Sequence, residues 1–287
     1  MPAIVRKQRE DKTMVETQTP ANTGDNPSAL DEALANAPAQ TDAPDKEQGP
    51  PPGPIRRYLR DSRNLLNSLL MVLPLFVIYQ IGVLTTGGVQ NGVDFVTSFL
   101  RFTVFGGHTG YYVLFNCVIL VAMLGTAWAL RHKEKFNPKV FGGVLLESTL
   151  YGMLLGGLIG GVLIKLGIEP SLAAGQAMGP WDNFILSLGA GLYEELVFRL
   201  ILLGGSVWAL TKVAKLKTLP TVIGAVLVTS FIFSSIHYVG SMADDFTLYS
   251  FSFRFLAGIL FAGLFYVRGF AVAVYTHAIY DVIVTVF

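Results

Sequence analysis

The sequence predicts an all-α, polytopic transmembrane helix bundle of about seven spans with a disordered N-terminal tail. Three observations predict it. Of 287 residues, 52% are hydrophobic and 14% charged, with a mean hydropathy of +0.52, whereas an average soluble domain is about one quarter charged. Apolar stretches of about 20 residues, enough to cross a hydrocarbon core, recur along the chain. The formal net charge of +1 also hides a division. Residues 1–54 hold nine acidic and five basic residues; the remainder holds eleven acidic and sixteen basic. These features exclude an ordinary soluble globular protein, and no nucleic-acid partner is expected.

Residues 1–55 read as a Pro-rich, acidic cytoplasmic tail, residues 56–140 as N-terminal transmembrane segments and residues 141–287 as the core. Nine of fourteen prolines precede residue 55, and no aromatic residue does. Such a composition cannot bury enough apolar surface to offset the entropy of ordering its backbone. A short helix over 28–37 is the one element it offers. The run Gly49-Pro50-Pro51-Pro52-Gly53-Pro54 closes the tail as a stiff spacer. No apolar h-region follows Met1, so a secretory signal peptide is not expected.

After Arg63 no charge occurs until Asp94, which gives a first span at 66–86. Further spans follow at 111–130, 141–164, 183–211, 220–240, 249–267 and 270–287, with six or eight as alternative counts. Residues 94–105 form either a loop or an amphipathic interfacial helix. Basic residues set the orientation. Arg56, Arg57, Arg60, Arg63, Arg131, Lys133, Lys135, Lys139, Lys212, Lys215, Lys217 and Arg268 all fall at alternate boundaries. The opposite boundaries carry Asp94, Glu169, Asp182, Asp244 and Asp245, with Arg101, Lys165 and Arg254 beside them. An integral membrane protein with a cytoplasmic N-terminus, in the cell inner membrane, is expected.

Within span three, Gly156, Gly157, Gly160 and Gly161 form two overlapping Gly-x-x-x-Gly pairs. Small residues at that spacing let helix backbones approach, within one chain or across a homodimer. The single cysteine, Cys117, excludes an internal disulfide framework and a multi-cysteine zinc site, and reads as a structural thiol. His108 and His132 read as solvated histidines, Glu147 as near-interfacial or paired, and Trp128, Trp181 and Trp208 as interface anchors.

Ionisable groups inside spans are costly and therefore mark function. Span four carries Glu194, Glu195 and Arg199, span five His237, and span seven His277 and Asp281. Glu195 and Arg199, four residues apart, share a helix face and can pair. Glu194 points about 100° away, toward a different cavity wall. The i,i+4 spacing of His277 and Asp281 lets the carboxylate orient the imidazole. Glu194 with His237 suits activation of a water molecule, and an N–H of His277 suits an oxyanion. The chemistry indicated is peptide-bond hydrolysis within the membrane, acting on a membrane-associated protein or peptide. Depth raises a difficulty: His237 lies about 26 Å from the cytoplasmic start of its span, but His277 only about 12 Å from its own.

Glu194-Glu195-Leu196-Val197-Phe198-Arg199 matches E-E-x-x-x-R, Phe233-Ser234-Ser235-Ile236-His237 matches F-x-x-x-H, and His277-Ala278-Ile279-Tyr280-Asp281 matches H-x-x-x-N/D. In this order on successive hydrophobic segments, the three motifs resemble the CAAX-protease and bacteriocin-processing family, also called the Abi family. The resemblance covers roughly residues 141–287. It implies helices around a polar cavity and endoproteolysis by a glutamate-activated water. By motif match, Glu194 and His237 would activate the water. His277 and Asp281 would form the oxyanion site, with Glu195, Arg199 and Phe233 in support. Many relatives have Asn where this chain has Asp281; an ionised Asp cannot donate a hydrogen bond.

Relatives have also been called metalloproteases, and zinc, if present, would sit on Glu194, His237 and His277. The set lacks H-E-x-x-H spacing and a Glu/His-held water needs no metal, so a metal-free site is the favoured reading. Three other readings stand beside proteolysis. One is a polar packing network, and another is a proton-coupled transporter using Glu194, His237 and His277 as a relay. The third is a non-catalytic binding or immunity protein that keeps the fold. The absence of repeated halves counts against the transporter.

Overall fold

A computed structural model describes residues 53–86, 106, 108–170, 178–239 and 243–287. The helix expected at 28–37, the segment 94–105 and all but the last three positions of the expected tail lie outside the described residues. Eight helices and no strand occur among the described residues: α1 (Pro54–Asp61), α2 (Leu65–Thr85), α3 (Thr109–Leu130), α4 (Lys139–Lys165), α5 (Pro180–Val213), α6 (Thr218–Ile236), α7 (Leu248–Arg268) and α8 (Phe270–Val286). Their starts follow local chemistry. Pro54 occupies the first turn of α1, where a missing N–H costs nothing. Asn64 caps α2 by accepting from the Asn67 N–H at 3.1 Å, and Thr247 caps α7 by accepting from the Ser250 N–H at 3.0 Å. α1 is an element beyond those expected from the sequence.

By length and composition, α2 to α7 can each cross a membrane. α8 is apolar but shorter, at 17 residues. Its sequence is apolar almost all round, the pattern of a helix with no solvent or lipid face, and every residue from 271 to 278 is buried. α4, α5, α7 and α2 pack around it. Tyr275 donates to the Met71 carbonyl of α2 at 2.6 Å, and Ser148 of α4 donates to the Val272 carbonyl at 3.3 Å. Gly191 brings α5 against α8: a Cβ there would lie 2.6 Å from Ala278 Cβ and 2.7 Å from its backbone nitrogen.

The depth difficulty is resolved at the start of α8. Gly269, at φ +92°, is the single residue between α7 and α8 and lies against Arg63. Arg268, which the charge pattern assigns to a loop, is buried. Its Nε donates to Glu147 Oε1 at 2.5 Å, and its Nη2 donates to both Glu147 Oε2 at 2.7 Å and Ser62 Oγ at 3.2 Å. Tyr58 of α1 donates to the same carboxylate at 2.5 Å. Burial, followed by that carboxylate, pushes the Tyr58 hydroxyl above its usual range and keeps it a neutral donor. Glu147 is eight residues beyond the first residue of α4, so the α7–α8 turn lies about 12 Å along α4 from its start, level with Arg63 at the start of α2. That recess makes up most of the difference in depth between His277 and His237. It also explains how α8 can be short.

The glycines of α4 divide between two faces. Gly156 lies against the Tyr280 ring and Gly160 near the Tyr249 hydroxyl, so both serve packing within the chain. Gly157 and Gly161 face open space. We therefore expect Gly191→Ala to destabilise the protein by about 1–3 kcal/mol through overpacking. Gly157→Ala should be neutral or stabilising by up to about 1 kcal/mol through helix propensity. Thermal unfolding of both variants in one detergent checks the contrast.

Candidate active site

Ionisable side chains from three helices meet around a cavity of about 520 Å³. α5 supplies Glu194, Glu195 and Arg199 from Ala190–Gly204, a stretch wound with the i→i+5 bonds of a π-helix. Such winding is rare and concentrates at functional sites. His237 follows the last turn of α6, and His277 and Asp281 lie on α8. The structure thus brings together every residue singled out by the three motifs.

Glu195 is fully buried, and its Oε1 takes two partners. Arg199 Nη1 stands at 3.2 Å and His277 Nδ1 at 2.8 Å. The buried guanidinium also lies 4.3 Å from the Phe233 ring centroid and 5.4 Å from that of Phe261, so aromatic faces add to its compensation. Phe233 touches both histidines edge to face, at 5.2 Å for His237 and 6.2 Å for His277. This gives the Phe of F-x-x-x-H a physical role: it backs the arginine and walls both imidazoles. Phe261 stacks on His277 at 4.5 Å. No sequence signal singles out Phe261 among the twenty phenylalanines.

The hydrogen bonds assign the ring nitrogens. The Phe233 carbonyl can only accept, so His237 Nδ1, 2.8 Å away, is the donor. In the neutral ring, Nε2 is then an acceptor, and it faces Glu194 Oε2 at 4.0 Å. The carboxylate that binds His277 Nδ1 is Glu195. Asp281, expected in that role from its i,i+4 spacing, instead stands 3.5 Å from Nε2, with Glu194 Oε2 at 3.8 Å from the same nitrogen. The reason is geometric. Close packing at Gly191 brings Glu195 to the Nδ1 side of the ring, whereas Asp281 lies one turn further along α8 on the cavity side.

Zinc ligands at about 2.0–2.2 Å in a tetrahedron stand roughly 3.3–3.6 Å apart. Glu194 lies 4.0 and 3.8 Å from the two histidine nitrogens, and among the described residues no three His, Cys, Asp or Glu side chains group as metal ligands. Both separations are wider than that spacing by a few tenths of an ångström. A polar cluster missed from sequence borders the cavity mouth. Arg254 donates to Ser250 Oγ at 2.8 Å and Tyr238 Oη at 3.0 Å, and it pairs with Asp244. Its only sequence signal was an unpaired basic residue at an otherwise acidic boundary.

The other singled-out residues lie elsewhere. His108 precedes α3 and is exposed; His132 is exposed against Trp128, which Arg131 covers at 4.6 Å. Cys117 is exposed on α3, and Trp128, Trp181 and Trp208 are exposed toward helix ends.

No curated protein and no solved structure matches the chain. Residues 176–283, which contain all three motifs, match the family model described as Rce1-like, type II CAAX prenyl endopeptidase, within the CAAX-protease family that those motifs resemble.

Proposed function

We propose that the chain is an intramembrane endopeptidase that hydrolyses a peptide bond of a membrane-associated protein or peptide by a water activated between Glu194 and His237. One observation carries the reading. Glu194 Oε2 and His237 Nε2 are two acceptors facing each other at 4.0 Å inside a cavity. A water molecule in that gap can donate to both acceptors at once and so bridge them. Its oxygen is then left with its lone pairs toward the cavity.

The steps follow from the same geometry. Glu194 takes one proton as the water oxygen attacks the scissile carbonyl carbon. Negative charge develops on the carbonyl oxygen. His277, as an imidazolium, donates from Nδ1 to Glu195 and presents Nε2–H to that oxyanion. Asp281, 3.5 Å from Nε2, supports the cationic ring in place of donating itself. Glu194 returns its proton to the departing amine nitrogen, and the tetrahedral intermediate collapses to acid and amine. Glu195, Arg199 and Phe233 position these groups. The match to a CAAX-endopeptidase model supports the reaction class.

The test reconstitutes purified protein with a panel of membrane-tethered peptides and reads cleavage by mass spectrometry. Glu194→Gln and His237→Ala should each lose about 10²–10⁴-fold in kcat. Equal cleavage by all three proteins contradicts the assignment, and proton-driven solute flux lost in the same variants supports the transporter instead. Chelator treatment should leave cleavage unchanged. Asp281→Asn keeps the side chain's shape and adds a donor, so it should retain activity within about tenfold; His277→Ala should lose about 10²–10³-fold. Equal losses in Asp281→Asn and His277→Ala contradict the division of roles.

A further inference from the structure

The cavity has a direction. Along α7 the lining residues pass from partly exposed Tyr249, Ser250 and Arg254 to buried Ala257 and Phe261. Along α8 they run the opposite way, from buried His277 through Asp281 to exposed Val284 and Thr285. α7 and α8 join at Gly269, so both gradients place the mouth at the end that holds the α6–α7 connection and the last turn of α8. His237 agrees, because it follows the last turn of α6 at that end.

The cavity that holds Glu194 does not reach the other end. Residues 271–276 are buried throughout and fill the bundle beneath His277. Below them, Arg268 is held by Glu147 and Ser62 and covered by the Tyr58 ring at 5.3 Å. That end carries the basic boundaries: Arg56 to Arg63 around α1, Arg131 to Lys139 between α3 and α4, and Lys212 to Lys217 between α5 and α6. Short basic connections of this kind stay in the cytoplasm.

We infer that the cavity opens on the membrane face opposite the cytoplasm, so that its substrates are membrane-anchored polypeptides presented from the extracytoplasmic side. The substrate class rests on the proteolytic reading; the direction of opening rests on burial and charge alone. From the cytoplasmic end, the buried residues 271–276 and the Arg268–Glu147 pair stand between solvent and Glu194; the apolar crevice at that end, against Gly269 and Phe270, does not include Glu194 in its lining. An exported segment emerging beside its membrane anchor meets the Tyr249 and Thr285 rim directly.

The experiment has two arms, both in full-length protein in cells. In a Cys117→Ser background, single cysteines replace Asp245, at the mouth end, or Lys215, at the opposite end. Protoplasts are then treated with a membrane-impermeant maleimide. The inference requires Asp245→Cys to be labelled directly and Lys215→Cys only after permeabilisation; the reverse pattern overturns it. The second arm places one cleavable segment on either side of a single-span anchor. Cleavage dependent on Glu194 and confined to the extracytoplasmic segment supports the inference, and cleavage confined to the cytoplasmic segment overturns it. If neither is cut while Asp245→Cys is labelled directly, the direction of opening holds and the proteolytic reading fails.

Discussion

The Glu195 carboxylate is the interaction on which the site depends. It lies fully buried between a guanidinium on its own helix and an imidazole on another. None of the three groups is stable at membrane depth alone. Removing one partner of a buried ion pair typically costs about 3–5 kcal/mol, because it leaves an uncompensated charge. Arg199 neutralises Glu195, Phe233 and Phe261 cover Arg199, and Glu195 fixes the ring of His277. With Glu195 and Arg199 paired, the neighbouring Glu194 is turned to the cavity. Two adjacent glutamates thus face different surroundings: Glu195 is locked into the bundle and Glu194 lines the cavity.

That division needs α8 in the centre of the bundle and at the right height. Gly191 lets α5 approach it closely enough for Glu195 to reach His277, and the recessed Gly269 turn raises His277 to the level of His237. The ion pair of Arg268 with Glu147 makes the recess stable by satisfying a cation that would otherwise be stranded below the surface. The same packing closes one end of the cavity and leaves the other open. The geometry of the polar cluster and the open end of its cavity are therefore two consequences of where α8 begins.

Much of this was legible in the sequence. Apolar run lengths marked the helices within a few residues, because a membrane span must be long and continuous. The motif residues stood out because charge in a span is rare, and the Glu195–Arg199 pair followed from helical spacing. Other features had no one-dimensional signal. Arg268 looked like an ordinary basic loop residue, and only Glu147, 121 positions away, makes it a buried partner. The i,i+4 spacing pointed to Asp281 as the carboxylate orienting His277, but a closer carboxylate on another helix takes that place. Phe261 was one apolar residue in an apolar helix. The amphipathic α1, with three arginines in eight residues, read as the end of a tail and as topological charge.

The most direct test of the account compares Glu194→Ala with Glu195→Ala for thermal unfolding midpoint in detergent and for single-turnover cleavage of a membrane-tethered peptide. Glu194→Ala should keep or raise the midpoint while abolishing cleavage, and Glu195→Ala should lower the midpoint and lose cleavage together. Equal loss of stability in both variants, or cleavage that survives Glu194→Ala, would contradict it.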